Sequence, residues 1–95
     1  MTAKELEQKF KNKGHINIID VREDEEVVFG KIPSAQHFPL GQIPERYTEL
    51  DKNQHYYIVC RSGARSGSAC AFLEQNGYDV TNMSGGMMNW QGEVE

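Results

Sequence analysis

Residues 56–77 read YYIVCRSGARSGSACAFLEQNG, and this stretch decides the fold. Its first five residues are apolar on both faces rather than alternating, which suits a strand buried in a parallel sheet. From Arg65 onward, Ala69, Phe72 and Leu73 fall at helical spacing, and Asn76-Gly77 supplies a left-handed stop. A strand and a helix are thus joined by a loop of a few small and basic residues, the basic unit of an α/β fold.

The flanking sequence repeats the pattern. INIID (16–20) is a second short run suited to a buried parallel strand, and YDVTNM (78–83) reads as a last strand. Thr2 and Glu5 form a capping-box pair ahead of Ala3, Leu6 and Phe10, so residues 2–12 are expected to form an amphipathic helix that stops at Gly14. Between the first two strands, DEEVVFG (24–30) predicts a short helix, AQHFPL (35–40) a short extended piece, and QIPERYTEL (42–50) a helical turn or two. GGMMNW (85–90) predicts a short terminal helix or turn. Strands alternating with helices imply a central parallel sheet covered on both faces, an α/β/α sandwich.

At 95 residues, with no repeat and no Pro/Gly-rich linker, the chain is expected to be one domain spanning 1–95. Charged residues make up 25% and apolar ones 38%, and no run is long and apolar enough to span a bilayer, so no membrane association is expected. The polar N-terminus MTAKELEQKF lacks the apolar core of a secretory signal, which points to the cytoplasm. A net charge of −4 gives no electrostatic footprint for nucleic acid, so any anionic ligand must be attracted locally. His15, His37 and His55 are scattered, and with two cysteines they make no zinc-type spacing, so no metal and no cofactor are expected.

Cys60 needs its own explanation. A free cysteine ending a strand is commonly a small core hydrophobe, and Cys70, at helical spacing beside Phe72 and Leu73, reads that way. Cys60 differs because Arg61, Ser62, Gly63, Ala64 and Arg65 follow it directly. In an open α/β sheet ligands bind beyond the carboxyl ends of the strands, where Cys60 sits. Residues 61–64 can curl so that successive N–H groups point to one place, and the helix behind adds a partial positive charge. Those donors and the two guanidinium groups should favour thiolate over thiol.

With these residues in view, the sequence resembles the single-domain rhodaneses. The resemblance is carried by IIDVRE, GKIPSAQHFPL, CRSGARS and MSGGMMNW, in that order, over nearly residues 16–90. It implies a three-layer rhodanese-like sandwich and a reaction in which Cys60 takes a sulfane sulfur from thiosulfate or a persulfide and passes it to cyanide or a thiol. Arg61 is expected to meet the donor's sulfonate oxygens and Arg65 to fix the loop. Relatives of this fold that act on phosphate esters or arsenate use a loop longer by one residue, so the four residues between Cys60 and Arg65 favour sulfur over phosphate.

A rival within the resemblance is a sulfur-relay or binding module that delivers the persulfide sulfur to a protein acceptor. Asp20 and Arg22 are expected to be structural supports, Asp20 by accepting hydrogen bonds or by pairing with an arginine such as Arg65. The acidic run REDEE (22–26) reads as a solvated face, and His37 as a satisfied structural histidine. Met83, Met87, Met88 and Trp90 are expected to pack over the sheet.

Overall fold

The computed structural model describes residues 1–13 and 16–95, so the expected stop at Gly14, and His15, lie outside the described residues. Its elements follow the order helix α1 (Ala3–Lys13), strand β1 (Asn17–Asp20), helix α2 (Asp24–Val27), strand β2 (Gln36–His37), helix α3 (Ile43–Arg46), strand β3 (His55–Val59), helix α4 (Ala64–Gln75) and strand β4 (Asp79–Asn82). Single 3₁₀ turns at Leu40–Gln42 and Tyr47–Glu49 flank α3, and a third closes the chain at Gly86–Asn89. Among the described residues the sheet has four strands, all parallel, in the order β2-β1-β3-β4.

Local chemistry sets the helix ends. The Thr2 N–H donates to Glu5 Oε1 at 2.9 Å and the Glu5 N–H to Thr2 Oγ1 at 3.2 Å, a reciprocal cap on α1. At the far end of α4, Gly77 (φ +88°) takes the left-handed conformation. Its N–H then reaches the Glu74 carbonyl at 3.1 Å and that of Tyr78 reaches Leu73 at 3.0 Å. The expected start of β4 at Tyr78 moves to Asp79 because this cap uses the Tyr78 N–H.

Successive strand residues point to opposite faces, and apolar side chains on both faces make two cores. Ile19, Tyr56 and Ile58 pack with Ala69, Cys70 and Leu73 of α4 and with Ile43, Leu50 and Tyr78. Ile18 and Val59 pack on the other side with Ala3 and Leu6 of α1, Ile32, Met83 and Trp90. The structure is therefore the three-layer sandwich that the apolar runs imply. Each fully buried Ile or Leu contributes about 1.5–3 kcal/mol. No described helix is long and apolar enough to cross a membrane.

The strand order places the site. The chain runs from β1 outward to β2 and returns to the other side of β1 as β3, so the loops after β1 and β3 diverge over their carboxyl ends. Cys60 lies one residue beyond β3, not at its end, because its carbonyl accepts the Met87 N–H (2.8 Å) instead of a strand partner. The Met88 N–H reaches the Arg61 carbonyl at 2.9 Å, so the C-terminal turn is laid over the β3–α4 loop.

Gly86 makes that docking possible. It holds φ +62°, and a Cβ there would sit 2.3 Å from the Arg61 carbonyl oxygen and 2.6 Å from that of Cys60. Gly86→Ala is expected to lower unfolding free energy by about 1–3 kcal/mol from backbone conformation alone, with a further loss from the contact, read by urea denaturation.

Candidate functional site

The β3–α4 loop curls around one sulfur atom. Gly63 adopts φ +104°, where a Cβ would meet the Gly85 nitrogen at 3.1 Å, so glycine suits both the conformation and the close approach of the C-terminal turn. In that conformation the Gly63 N–H donates to Cys60 Sγ at 3.1 Å, and the Ser66 N–H, in the first turn of α4, does so at 3.3 Å. The Ser66 hydroxyl lies 3.2 Å from the same sulfur. Ala64 carries no polar group and opens α4.

The sulfur is 0% exposed, so these protein groups take the place of water. Burial is the largest single influence on the Cys60 thiol and pushes its pKa up. The Ser66 hydroxyl and N–H, with the N–H groups of Gly63 and Ser62, outweigh it and hold the pKa below the ordinary thiol value. Cys70 has no such donors among the described residues, and burial, followed by the charge of Glu74, pushes it up to about 11. The two cysteines, both free and both buried, are chemically unlike.

The charged supports differ in one respect from expectation. Asp20 does not pair with Arg65. Arg22 folds back on it, with Nε donating at 3.0 Å to Oδ1 and Nη2 at 2.8 Å to Oδ2, and its Nη2 also reaches the Gly30 carbonyl at 2.8 Å. Asp20 is fully buried at the end of β1, and the arginine two residues on is the donor that can fold over it, with its own N–H adding a bond at 3.0 Å. Arg65 instead grips Glu26 with two bonds of 2.7 Å. Glu26 is held in place by a capping box on α2, in which its Oε1 accepts the Glu23 N–H at 2.9 Å. The run REDEE is therefore only partly a solvated face: Arg22 is buried and Glu26 ties α2 to α4.

Arg61 is exposed and has no ion-pair partner among the described residues. It lines an open groove of about 390 Å³ with Arg22, Glu25, Glu26, Phe29, Met87 and Met88. Met83 and Trp90 pack over the sheet as expected, but Met88 is 67% exposed and Phe29 is 90% exposed. His37 stands aside, its Nε2 within 2.6 Å of the Arg22 carbonyl. Two polar groups that the sequence reading passed over join the cradle: Ser66, and Asn82 at the end of β4, whose side chain reaches both Ser66 and Gly63. A polar residue at the carboxyl end of the strand beside β3 was the available signal for Asn82.

This site can be set beside known proteins. The family model described as Rhodanese-like domain matches residues 2–93. The chain is 46% identical over 90 residues to YtwF of Bacillus subtilis, covering 95% of this chain and 87% of the relative. It is 39% identical over 89 residues to a protein named Sulfurtransferase from Allochromatium vinosum, covering 93% of this chain and 83% of that one. The crystal structure of a rhodanese-like domain protein from Staphylococcus aureus superposes with a TM-score of 0.94 at 42% identity, over 100% of this chain and 94% of that one.

Arg65 lowers the Glu26 carboxyl from its ordinary 4.5 to about 2. A carboxylate depressed in the folded state stabilises fully above its unfolded pKa and loses that contribution as pH falls through the folded one. Wild type is therefore expected to lose stability between about pH 4.5 and pH 2 more steeply than Glu26→Gln, as measured by thermal melts across that range.

Proposed function

The chain belongs to the rhodanese-like family, and on that premise we propose that it is a sulfurtransferase that carries a sulfane sulfur on Cys60 as one domain over residues 1–95, working in the cytoplasm. The observation that carries this reading is the convergence of the Gly63 and Ser66 N–H groups, with the Ser66 hydroxyl alongside, on one buried sulfur next to an exposed arginine that has no ion-pair partner among the described residues. A thiol held below its ordinary pKa is a ready nucleophile at neutral pH.

In the first half-reaction the Cys60 thiolate attacks the outer sulfur of thiosulfate. The new S–S bond forms as the S–S bond of the donor breaks, and sulfite leaves with the electron pair. The negative charge then rests on the outer sulfur of a Cys60 persulfide, where loop N–H groups can meet it as preorganised donors. In the second half-reaction cyanide, or a thiolate, bonds to that outer sulfur, and the electron pair of the broken S–S bond returns to Cys60. With cyanide the product is thiocyanate.

Arg61 is assigned to the oxyanions of the donor, since it is the exposed cation on the groove and has no carboxylate of its own among the described residues. Arg65 is assigned to holding the loop through Glu26. The short arc of Arg61, Ser62, Gly63 and Ala64 supports sulfur over phosphate, because its donors already close on the cysteine sulfur and leave little room for a tetrahedral group.

A second reading, delivery of the sulfur to a protein acceptor, is favoured by a specific observation. The exposed large apolar residues Val28, Phe29 and Met88 stand at or beside this groove, and exposed apolar groups of this kind mark contact surfaces. The chemistry at Cys60 is the same in both readings and the acceptor differs.

Incubation with thiosulfate is expected to add one sulfur to Cys60 by mass spectrometry, to be removed by cyanide with release of thiocyanate. Absence of the adduct on wild type, or its persistence in Cys60→Ser, would overturn the assignment. Loss of charge-assisted contacts worth about 1.5–3 kcal/mol predicts that Arg61→Ala raises the thiosulfate KM at least tenfold while the adduct still forms at saturating donor. Phe29→Ser with Met88→Ser, which adds no charge to the groove, is expected to leave turnover with cyanide unchanged if small molecules are the acceptors, and to slow transfer to a protein thiol selectively if the second reading holds.

A further inference from the structure

The hydroxyl of Ser66 has one hydrogen and two claimants. Its oxygen is 3.2 Å from Cys60 Sγ and 2.5 Å from Asn82 Oδ1. The orientation of the Asn82 amide is settled by its other end, where Nδ2 donates to the Gly63 carbonyl at 3.1 Å. Only the amide oxygen is then left to face Ser66, and an amide oxygen can only accept. The Ser66 hydrogen therefore points to Asn82, and the hydroxyl turns a lone pair toward the sulfur.

That orientation suits a neutral sulfur. A thiol can donate S–H to the Ser66 oxygen while Ser66 donates onward to Asn82, a chain in which each bond strengthens the next. A thiolate needs the opposite, with the Ser66 hydrogen turned to the sulfur and Asn82 Oδ1 deprived of its donor. We propose that Asn82 is a positioning residue for Cys60, which competes with the sulfur for the Ser66 hydrogen and so restrains ionisation of the thiol. The proposal rests on Cys60 being the reacting thiol. On that reading the same hydrogen swings to the sulfur when the thiolate forms. It returns to Asn82 once the sulfur is bonded to a second one and the charge has moved outward.

Other charges face Cys60 and act in parallel. They are Arg61 in the loop, Arg65 of α4 with its partner Glu26 of α2 and the nearby Glu23, and Asp20 at the end of β1, in register with Val59, with its partner Arg22. The N-terminal ammonium lies 3.2 Å from the Asn82 carbonyl. The turn Gly86–Asn89 carries no charge. A neutral substitution at Asn82 leaves every one of these groups in place.

The test follows the ¹³Cβ resonance of Cys60 through a pH titration in the absence of any sulfur donor, so its outcome does not depend on whether the protein transfers sulfur. Asn82→Leu, which releases the Ser66 hydrogen, is expected to lower the Cys60 pKa by about one unit, a tenfold rise in the thiolate-to-thiol ratio. Asn82→Asp is expected to raise it, through the added negative charge as well as a stronger grip on that hydrogen, and to raise it less in Ser66→Ala, where only the charge acts. In a Ser66→Ala background, Asn82→Leu is expected to have no effect. If Asn82→Leu does not fold, Asn82→Ala tests the same downward shift. Movement of the leucine (or alanine) and aspartate variants in the same direction, as loosened packing would produce, overturns the proposal. So does a downward shift that survives in Ser66→Ala, or no shift at all.

Discussion

A sulfur atom with no exposed surface must have its charge carried by the chain itself. That requirement organises the carboxyl edge of this sheet. The N–H groups of Gly63 and Ser66 can point inward together only if the chain reverses within four residues of β3, which Gly63 allows by its left-handed backbone. The reversal leaves the carbonyls of Cys60 and Arg61 turned outward, and the C-terminal turn answers them with the N–H groups of Met87 and Met88. An inward set of donors and an outward set of acceptors are two sides of one loop. The turn around Gly86 is thus as much a part of the cradle as the residues that touch the sulfur.

The charges around the loop are arranged to leave it electrostatically simple. Asp20 and Arg22 satisfy each other in the buried layer, and Glu26 and Arg65 do so between α2 and α4. In each pair one side chain is also held by another contact: Asp20 by accepting the Arg22 N–H, Glu26 by its cap on Glu23. A preordered partner reduces the side-chain entropy lost on pairing, which suits a clamp that must hold a loop in one shape. Both pairs are close to neutral at a distance. Outside those pairs the groove carries two charged side chains, Arg61 and Glu25, within a chain whose net charge is −4.

How far the sequence could be read follows from the range of the interactions involved. The strands and α4 were legible because burial on both faces writes apolar runs directly into INIID and YYIVC, and the caps at Thr2 and Gly77 are local. The loop was legible because its thiol, glycine and arginines are consecutive. The partner of Arg65 was not. Asp20 and Glu26 both end up near the loop, and the choice between them turns on Arg22 having already claimed Asp20, a fact of three-dimensional order. Glu26 was further disguised by its place in an acidic run whose other members are largely solvated. Ser66 and Asn82 escaped for a related reason, since a serine inside a helix and an asparagine ending a strand are ordinary residues until the fold places them on one sulfur.

The asparagine beside Ser66 has a cost and a use for a sulfur that changes its bonding. If the donors only had to favour the thiolate, Ser66 with no competitor would serve best, and a hydroxyl bound to the sulfur alone would lower its pKa furthest. Yet a thiol that is always ionised is a better leaving group and a poorer nucleophile, because nucleophilicity falls with pKa, and the optimum lies near ambient pH. A carrier must accept sulfur as a nucleophile and release it as a leaving group at the same atom. On the proposed reaction a hydroxyl hydrogen shared between Cys60 and Asn82 would meet both demands, since it would strengthen the hold on charge when the thiolate forms and withdraw it when the charge moves to the outer sulfur. On the proposed reaction, the short Ser66–Asn82 contact tunes the cradle to a sulfur that alternates between two states rather than to one fixed anion.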